Sequence, residues 1–564
     1  MKKVRRYWIL LLLLAMIVTL VPPGTNRAEA WNGVPAGKLH VSGNQLVNSG
    51  GQPVLLSGWH QPSGAYWTYQ NSDYYLTRNG NDRHKATLAY LKDITDTFTD
   101  TNPRYGSGHG WNMNQVRLFI DRQDMGDVAA GTYNFAGVQS VTQNVIIPYI
   151  QYAKTKGVYV TLGLDFTLKD DQATTASNLQ KFNEIWGYLA SRPEIKSADN
   201  VHFELINEPV KSFANGHWGG YNGENDFVDH WNDLRTFQNS MISTIRSKGA
   251  DNVIWAAGLG YNQFYSLTAS HPLTDPLNNY GYAVHWYPGY GAHDNAAILK
   301  DQWTTNIKAA ADAYPINITE VTWFKKKAGD SEYWSLFDGS NEGFGRNTKA
   351  IFSEAGNVSI AAHMNGFILA EGARSSFADP TAGLKWDGDG TRSAMGRFLF
   401  HWYFERAQTQ PGTNVSNGLT AGATYKIVSR VSGKVIDIPG GQNADNLQLQ
   451  QWTDLGGNPQ KWGLTSIGTG LYKLTSVNSP GKVLEVRGGS KSSGEAIQLM
   501  SDLNTTAQHF RVYDMGDGYW SIVNVNSGKA VEVAGASTAD GAKLQQGDYT
   551  GAPAQQWKFV KVGG

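Results

Sequence analysis

Two glutamates stand where apolar runs give out. In VHFELINEPV, Val201 to Val210, an apolar segment leads straight into Asn207-Glu208-Pro209, and in PINITEVTW a second one ends at Glu320. A carboxylate at the end of a buried strand costs too much for structural need alone to explain it well. Two carboxyl groups facing each other across a cleft are what cleavage of a glycosidic bond requires. One is held protonated to donate to the leaving oxygen; the other is ionised and attacks the anomeric carbon. Glu208 and Glu320 are 112 residues apart, so this chemistry depends on a fold that gathers strand ends.

Residues 40 to 408 read as such a fold. Short β-branched runs alternate there with longer amphipathic segments, the pattern of repeated βα units. The predicted strands are 53–58, 114–120, 157–164, 200–206, 252–257, 282–286, 315–320 and 365–370. Eight strands close a barrel, so the expected class is α/β, a (β/α)8 TIM barrel whose active face lies at the C-terminal strand ends. Glu208 follows the fourth predicted strand and Glu320 ends the seventh. Phe227, Trp231, Leu234, Phe237, Met241 and Ile245 form a helical stripe that packs on a sheet and stops at RSKGADN, where Gly249 supplies the usual end. SAMGRFLFHWYFERA, 393–407, reads as the helix over the final strand.

The Asn-Glu-Pro after strand four, with the Thr-Glu of strand seven, resembles the clan of retaining β-glycosidases built on this barrel. Within it the match is to glycoside hydrolase family 5, over about residues 40 to 408. The resemblance implies that Glu208 is the acid/base, Glu320 the nucleophile, and Asn207 the residue holding the sugar's 2-hydroxyl. Arg117 in QVRLF matches the family's strand-two arginine, which would keep Glu320 ionised through the proximity of opposite charge. His285 and Tyr287 in VHWYP match its His-x-Tyr, the His near the acid and the Tyr hydroxyl near the nucleophile. Trp323 would be a stacking platform beside them. The family's His after strand three and Trp after strand eight are missing. The corresponding places read GLDFT and ILAEGARSS, with Glu371 or Trp386 left to fill the gap. Trp59, His60, Tyr66 and Trp67, after the first predicted strand, are further cleft candidates, and the aromatics among them could equally be core.

Plainer readings stand beside these. Asn-Glu-Pro alone could be a helix start. Glu204 shares Glu208's strand face but lies deeper, as a buried structural partner. Asp121, Asp124 and Asp165 read as solvated or structural, and DGDG at 387–390 as a turn, since it lacks the further ligands of a calcium loop.

Beyond the polar stretch QTQPGTNVSNGLTAG the grammar changes to three copies of one unit. SGKVIDI closes with Gln460 to Trp462, PGKVLEV with Gln508 to Phe510, and SGKAVEV with Gln555 to Trp557. Such a period marks one supersecondary unit copied three times, and short strands with glycine turns imply a closed pseudo-threefold all-β domain. The units resemble the ricin-type β-trefoil lectin, or carbohydrate-binding module family 13, over roughly 421 to 561. The resemblance makes the closing Gln-x-Trp mostly core and gives sugar contact to an early acidic residue and an aromatic ahead of the closing motif. The first repeat has both, Asp437 and Trp452, with Asn458 nearby. The second has Glu485 but Met500, and the third Glu532 but Gly547, so the first site is the expected binder.

The expected organisation is therefore a signal peptide (1–30), the barrel domain (31–408), a linker (409–420) and the β-trefoil (421–564). The signal rests on basic MKKVRR, apolar WILLLLLAMIVTLV and a final AEA, too short and wrongly flanked for a lasting membrane anchor. A secreted, extracellular protein is expected. The chain has no cysteine, which excludes disulfides and thiolate metal sites. Lys and Arg balance Asp and Glu at 48 each; without residues 1–30 they stand at 43 against 47, a net of −4. That balance excludes no fold but gives no attraction for nucleic acid or an anionic membrane. With 19 Trp, 27 Tyr and 21 Phe against 17% charged residues, the composition suits stacking on sugars. The expected protein is a monomeric endo-β-glycanase, without cofactor or metal, acting on a β-1,4-linked plant-wall polysaccharide. Cellulose-like β-glucan comes first, xylan or another hemicellulose second. A non-catalytic sugar-binding barrel is the competing class, which would tolerate loss of either glutamate. An adhesion protein would want anchoring repeats, and none is seen.

Overall fold

A computed structural model describes residues 37–62, 75–99, 110–126, 132–164, 176–209, 227–289, 294–324, 332–363, 395–407, 419–468, 471–516, 518–547 and 552–563. The signal segment, Tyr66, Trp67, Asp165, Glu371, Trp386 and the DGDG turn lie outside them. Among the described residues no helix is long and apolar enough to cross a membrane.

Eight parallel strands close into a barrel: β1 (Ser57–Pro62), β2 (Gln115–Ile120), β3 (Tyr159–Leu164), β4 (Val201–Glu204), β5 (Ile254–Ala256), β6 (Tyr280–Trp286), β7 (Ile316–Val321) and β8 (Val358–Ala362). β2 to β7 fall within the predicted runs or overlap them. The first meets its predicted run only at Ser57 and Gly58, and the last lies wholly before its own. The apolar run at 53–56 serves the barrel floor: Val54 N–H donates to the Leu46 carbonyl, and Val54 and Leu56 cluster with Tyr159 and Trp255. Strand pairing starts only at Ser57, which puts Trp59 and His60 on the strand itself. The eighth strand precedes the predicted 365–370, a stretch outside the described residues. Helix α1 (Arg346–Ala355) ends at Gly356, whose φ of +72° is the left-handed turn glycine adopts freely, and VSIAA follows at once as β8. The final helix α2 (Met395–Ala407) closes the ring. Arg406 Nε donates to Ser57 Oγ at 2.7 Å, and its Nη2 to the carbonyls of Leu56 and Val358 at 3.0 and 2.8 Å.

Inside the barrel the side chains stack in layers, as the fold requires. Gln115 and Asn317 bond across it at 3.2 Å. Below them His202 is enclosed by Tyr159, its ring stacked at 5.5 Å, and by Trp255. Burial holds its imidazole down to a pKa of about 3. The folded pKa lies below the unfolded value near 6.5, so the unfolded chain binds the extra proton and stability falls as pH drops from about 6.5 toward 3. The slope is at most about 1.4 kcal/mol per pH unit. His202→Phe should flatten the decline of the unfolding midpoint between pH 7 and pH 5, measured in urea.

In the C-terminal region three hairpins repeat one register: Asp437 opposite Gln450, Glu485 opposite Gln498, and Glu532 opposite Gln545. The closing aromatics Trp462, Phe510 and Trp557 are fully buried in one core. The indole N–H groups of Trp462 and Trp557 donate to the carbonyls of Ile436 and Val531. Phe404 of α2 packs on Val523 and Ala530 of the third repeat.

Candidate active site

Arg117 is the hub at the mouth. It is fully buried on β2, and its fork is completely used. Nε and Nη2 donate to the two oxygens of Glu204 at 2.7 and 2.6 Å, Nη1 donates to Glu320 Oε1 at 2.5 Å, and Nη2 also donates to Asn207 Oδ1 at 2.9 Å. A planar guanidinium with five donors suits this task in a way a lysine would not. Burial pulls its pKa down, but the charges of Glu204 and Glu320 outweigh that and raise it, so it stays charged. Glu204 thus takes the place of a structural partner. Glu204→Gln removes one of two anions from a buried cation and should cost about 3 kcal/mol of stability, read from thermal or urea unfolding.

Glu320 reaches the mouth through an irregularity in pairing. Val284 faces Ile318, but His285 faces Glu320, so β7 carries one extra residue, Thr319, at this point. Strict alternation from inward-facing Asn317 would turn Glu320 out of the barrel. The bulge turns it in, a common device next to active sites. Its other oxygen, Oε2, accepts from Tyr287 Oη at 2.5 Å. Burial alone would raise the carboxyl's pKa, but its surroundings of His285, His363, Arg117 and His60 hold it well below the ordinary range, and with the rings neutral the charge that does so is that of Arg117.

His285 lies between the two glutamates. Its Nδ1 is 2.8 Å from Glu208 Oε1 and 3.3 Å from Glu320 Oε2. Its Nε2 faces two groups that can only donate there, Arg117 Nη2 at 3.3 Å and Asn262 Nδ2 at 3.5 Å. The ring proton therefore sits on Nδ1 and points at Glu208. The Asn262 amide is oriented by Gly258 N–H, which donates to its Oδ1 at 3.1 Å. Asn262 has φ +59° and follows Gly260 and Tyr261, both also left-handed. One oxygen of Glu208 and one of Glu320 lie within 4.8 Å of each other. Glu208 shows 19% of its side chain and Glu320 7%.

The structure thus brings Arg117, Asn207, Glu208, His285, Tyr287 and Glu320 together. It does not give Trp323 the predicted place. That ring is 1% exposed, packs against Phe344 and Phe398, and donates its N–H to Asn341 Oδ1 at 2.8 Å. An indole enclosed on its faces and bonded at its nitrogen is a core wall, without a face for a sugar. Trp59 is likewise buried in the core. Asp121 caps a short helix by accepting from Gln123 N–H, and Asp124 pairs with Arg83. His60, expected at the cleft, stands there with Nδ1 3.9 Å from Glu320 Oε1, whereas two groups at the mouth have no place in the sequence expectations: Asn262 and His363. The Gly-Tyr-Asn order was the available signal for Asn262, since Gly and Asn favour left-handed backbone. His60, Glu320 and His363 could reach a common ion, as could Glu208, His285 and Glu320. The Arg117 guanidinium on Glu320 opposes a cation at either place.

In the first trefoil repeat Asp437 is buried and accepts from Gln450 Nε2 at 3.0 Å, and burial raises its pKa. Trp452, two residues beyond Gln450, is 37% exposed. Ile438 N–H donates to the Pro459 carbonyl, which lays the turn bearing exposed Asn458 beside this strand. Glu485 accepts from Gln498 and Gln508, and Glu532 from Gln545 and Gln555, so acid and paired glutamines recur. At Gly547 the Glu532 carboxyl fills the space a side chain would take.

Residues 92–346 match the family described as Cellulase (glycosyl hydrolase family 5). Residues 401–500 and 506–564 match the family described as Ricin-type beta-trefoil lectin domain-like. An endoglucanase of Clostridium saccharobutylicum is 21% identical over 337 residues, 58% of this chain and 62% of its own length. Endoglucanase E-5 of Thermobifida fusca is 24% identical over 303 residues, 53% of this chain and 51% of its own. A β-glucanase from Saccharophagus degradans, solved in complex with cellotetraose, is 17% identical, covering 66% of this chain and 94% of its own, with a TM-score of 0.46. The chain spans about half to three-fifths of the length of these two curated relatives. It therefore carries a cellulase domain of glycosyl hydrolase family 5, followed by a ricin-type β-trefoil lectin-like domain.

Proposed function

We propose that the protein is a secreted endo-β-glycanase that hydrolyses a β-1,4-linked plant-wall polysaccharide, β-glucan first, by double displacement with retention. The observation that carries this reading is the pair of carboxyl oxygens within 4.8 Å at the barrel mouth. Retaining enzymes hold their carboxyl groups about 5 to 5.5 Å apart, whereas inverting ones need about 6.5 to 9.5 Å to admit a water. Glu320, held anionic by Arg117, is the nucleophile. Glu208 is the acid that protonates the leaving oxygen and then the base that activates water, and Asn207 holds the 2-hydroxyl. The similarity to endoglucanases favours a β-glucan over xylan.

Pure β-glucans, xylans and mannans should be digested and the products followed by NMR and viscosity. A fast fall in viscosity with the β-anomer appearing first on β-glucan is the expected result. First appearance of the α-anomer would sink the retaining mechanism, and cleavage of xylan alone would move the substrate to the hemicelluloses.

The trefoil is proposed to hold the enzyme on insoluble substrate through Asp437, Trp452 and Asn458, raising the local concentration without new catalytic contacts. Trp452→Ala should leave the rate on soluble glucan unchanged and lower it severalfold on insoluble glucan. A half-exposed ring can be removed at little cost in stability, whereas loss of a core Trp would cost about 3 to 5 kcal/mol. Truncation near Pro411 is the cruder test, because it also uncovers Phe404.

A further inference from the structure

We propose that His363, at the end of β8, is a specificity residue that accepts a hydrogen bond, through its ring Nε2, from a hydroxyl of the sugar seated on Glu320. The inference rests on the reading of Glu320 as nucleophile. His363 stands at the end of the eighth strand, and its backbone is pinned beside Glu320 from both sides. Its N–H donates to the Val321 carbonyl at 2.9 Å, and its own carbonyl accepts from Thr322 Oγ1 at 2.7 Å. Its ring lies edge-on to Tyr287, with Nδ1 3.8 Å from Glu320 Oε1.

The tautomer follows from the neighbours. His363 Nδ1 and His60 Nδ1 are 2.6 Å apart, which requires one proton between them. Arg117 Nη1, which can only donate, faces His60 Nδ1 at 3.5 Å, so the lone pair there belongs to His60 and the shared proton to His363. His60 then carries its proton on Nε2, a buried nitrogen with no hydrogen-bond partner among the described residues. Burial keeps both rings neutral, lowering His363 to about 4 and His60 well below its ordinary value. A neutral ring with its proton on Nδ1 has a lone pair at Nε2. His363 also has surface to use. Its side chain is 16% exposed, against 7% for His60 and 0% for Arg117 and His285; of the groups ringing Glu320, Glu208 at 19% is comparable. A sugar arriving over Glu320 therefore meets an uncharged acceptor here, suited to a neutral pyranose with a free hydroxyl.

The test is a cycle between side chain and hydroxyl. Aryl β-cellobiosides, intact or lacking the 3- or 6-hydroxyl on the ring bonded to the aglycone, are compared on wild type, His363→Ala and His363→Gln by kcat/KM. One deoxy substrate should lose roughly tenfold on wild type, and His363→Ala should lose no more than about twofold from the same deletion. His363→Gln, which keeps an acceptor, should restore part of the discrimination. Equal deoxy losses in wild type and His363→Ala, or no deoxy loss in wild type, would overturn the inference. In parallel, 2,4-dinitrophenyl 2-deoxy-2-fluoro-β-cellobioside should add one glycosyl mass to Glu320 in wild type and both variants, which also reports folding. Labelling with additive losses sinks the His363 role alone; no label on wild-type Glu320 removes the nucleophile reading and this inference with it.

Discussion

Glu320→Ala is expected to abolish hydrolysis of β-glucan, with kcat lower by about 10⁴-fold or more, while the protein stays folded and still binds the polymer. A loss of that size is about 5.4 kcal/mol of barrier. The chemistry and the fold separate here because of how Arg117 is shared. Glu320 accepts a single bond from Nη1, whereas Glu204 takes Nε and Nη2 together and remains as counter-charge when Glu320 is gone. Tyr287 loses its acceptor but keeps its packing against Phe324 and Phe337. The same reasoning puts the stability cost on Glu204 and the catalytic cost on Glu320, so the two variants should exchange effects: near-native unfolding without turnover for Glu320→Ala, early unfolding for Glu204→Gln. Circular dichroism and pull-down on insoluble glucan check the first claim. If Glu320→Ala retains a tenth of wild-type activity, the nucleophile lies elsewhere.

Much of this site was legible in the sequence because its signals are local. Glu208 and Glu320 end apolar runs, Arg117 interrupts one, and period-two alternation put Glu204 beneath Glu208. What was not legible depends on pairings between distant segments. The apolar run at 53–56 looks like a strand, and only its contact with Leu46 and the floor cluster shows that it plugs the barrel. The inward turn of Glu320 needs the register shift against β6, which no single strand displays. His363 follows a five-residue strand hidden behind the helix stop at Gly356, so the sequence pattern points to 365–370 for the eighth strand and gives its terminal histidine no role. Trp323 departs from its expected place for a related reason. Its position next to a catalytic strand end suited a platform, but whether a ring faces the cleft or the core is decided by Asn341, Phe344 and Phe398, which arrive from later elements.

Glu208→Gln should divide substrates by their leaving groups. An amide of the same size can still accept from His285 Nδ1–H, which lies 2.8 Å from Oε1, so the geometry around Glu320 survives. What it cannot do is give up a proton. A sugar hydroxyl leaving from a glucan needs that proton in the transition state, and general-acid assistance is worth about 10²–10⁴-fold. A 2,4-dinitrophenolate leaves without one. The variant should therefore lose about 10³-fold in kcat/KM on polysaccharide and less than about tenfold on 2,4-dinitrophenyl β-cellobioside. The second half of the reaction adds a further signature. The proposed role makes Glu208 the base that activates water, so with the activated substrate the covalent intermediate should form readily and break down slowly. A burst of dinitrophenolate equal to the enzyme concentration is expected, with kcat and KM falling together. Azide, a nucleophile that needs no base, should restore turnover and yield the β-glycosyl azide, its configuration retained because Glu320 still does the first displacement. Equal losses on both substrate types, with no burst and no azide rescue, would take the acid/base role from Glu208. The carboxylate pair would then act only as an electrostatic frame for some other proton donor.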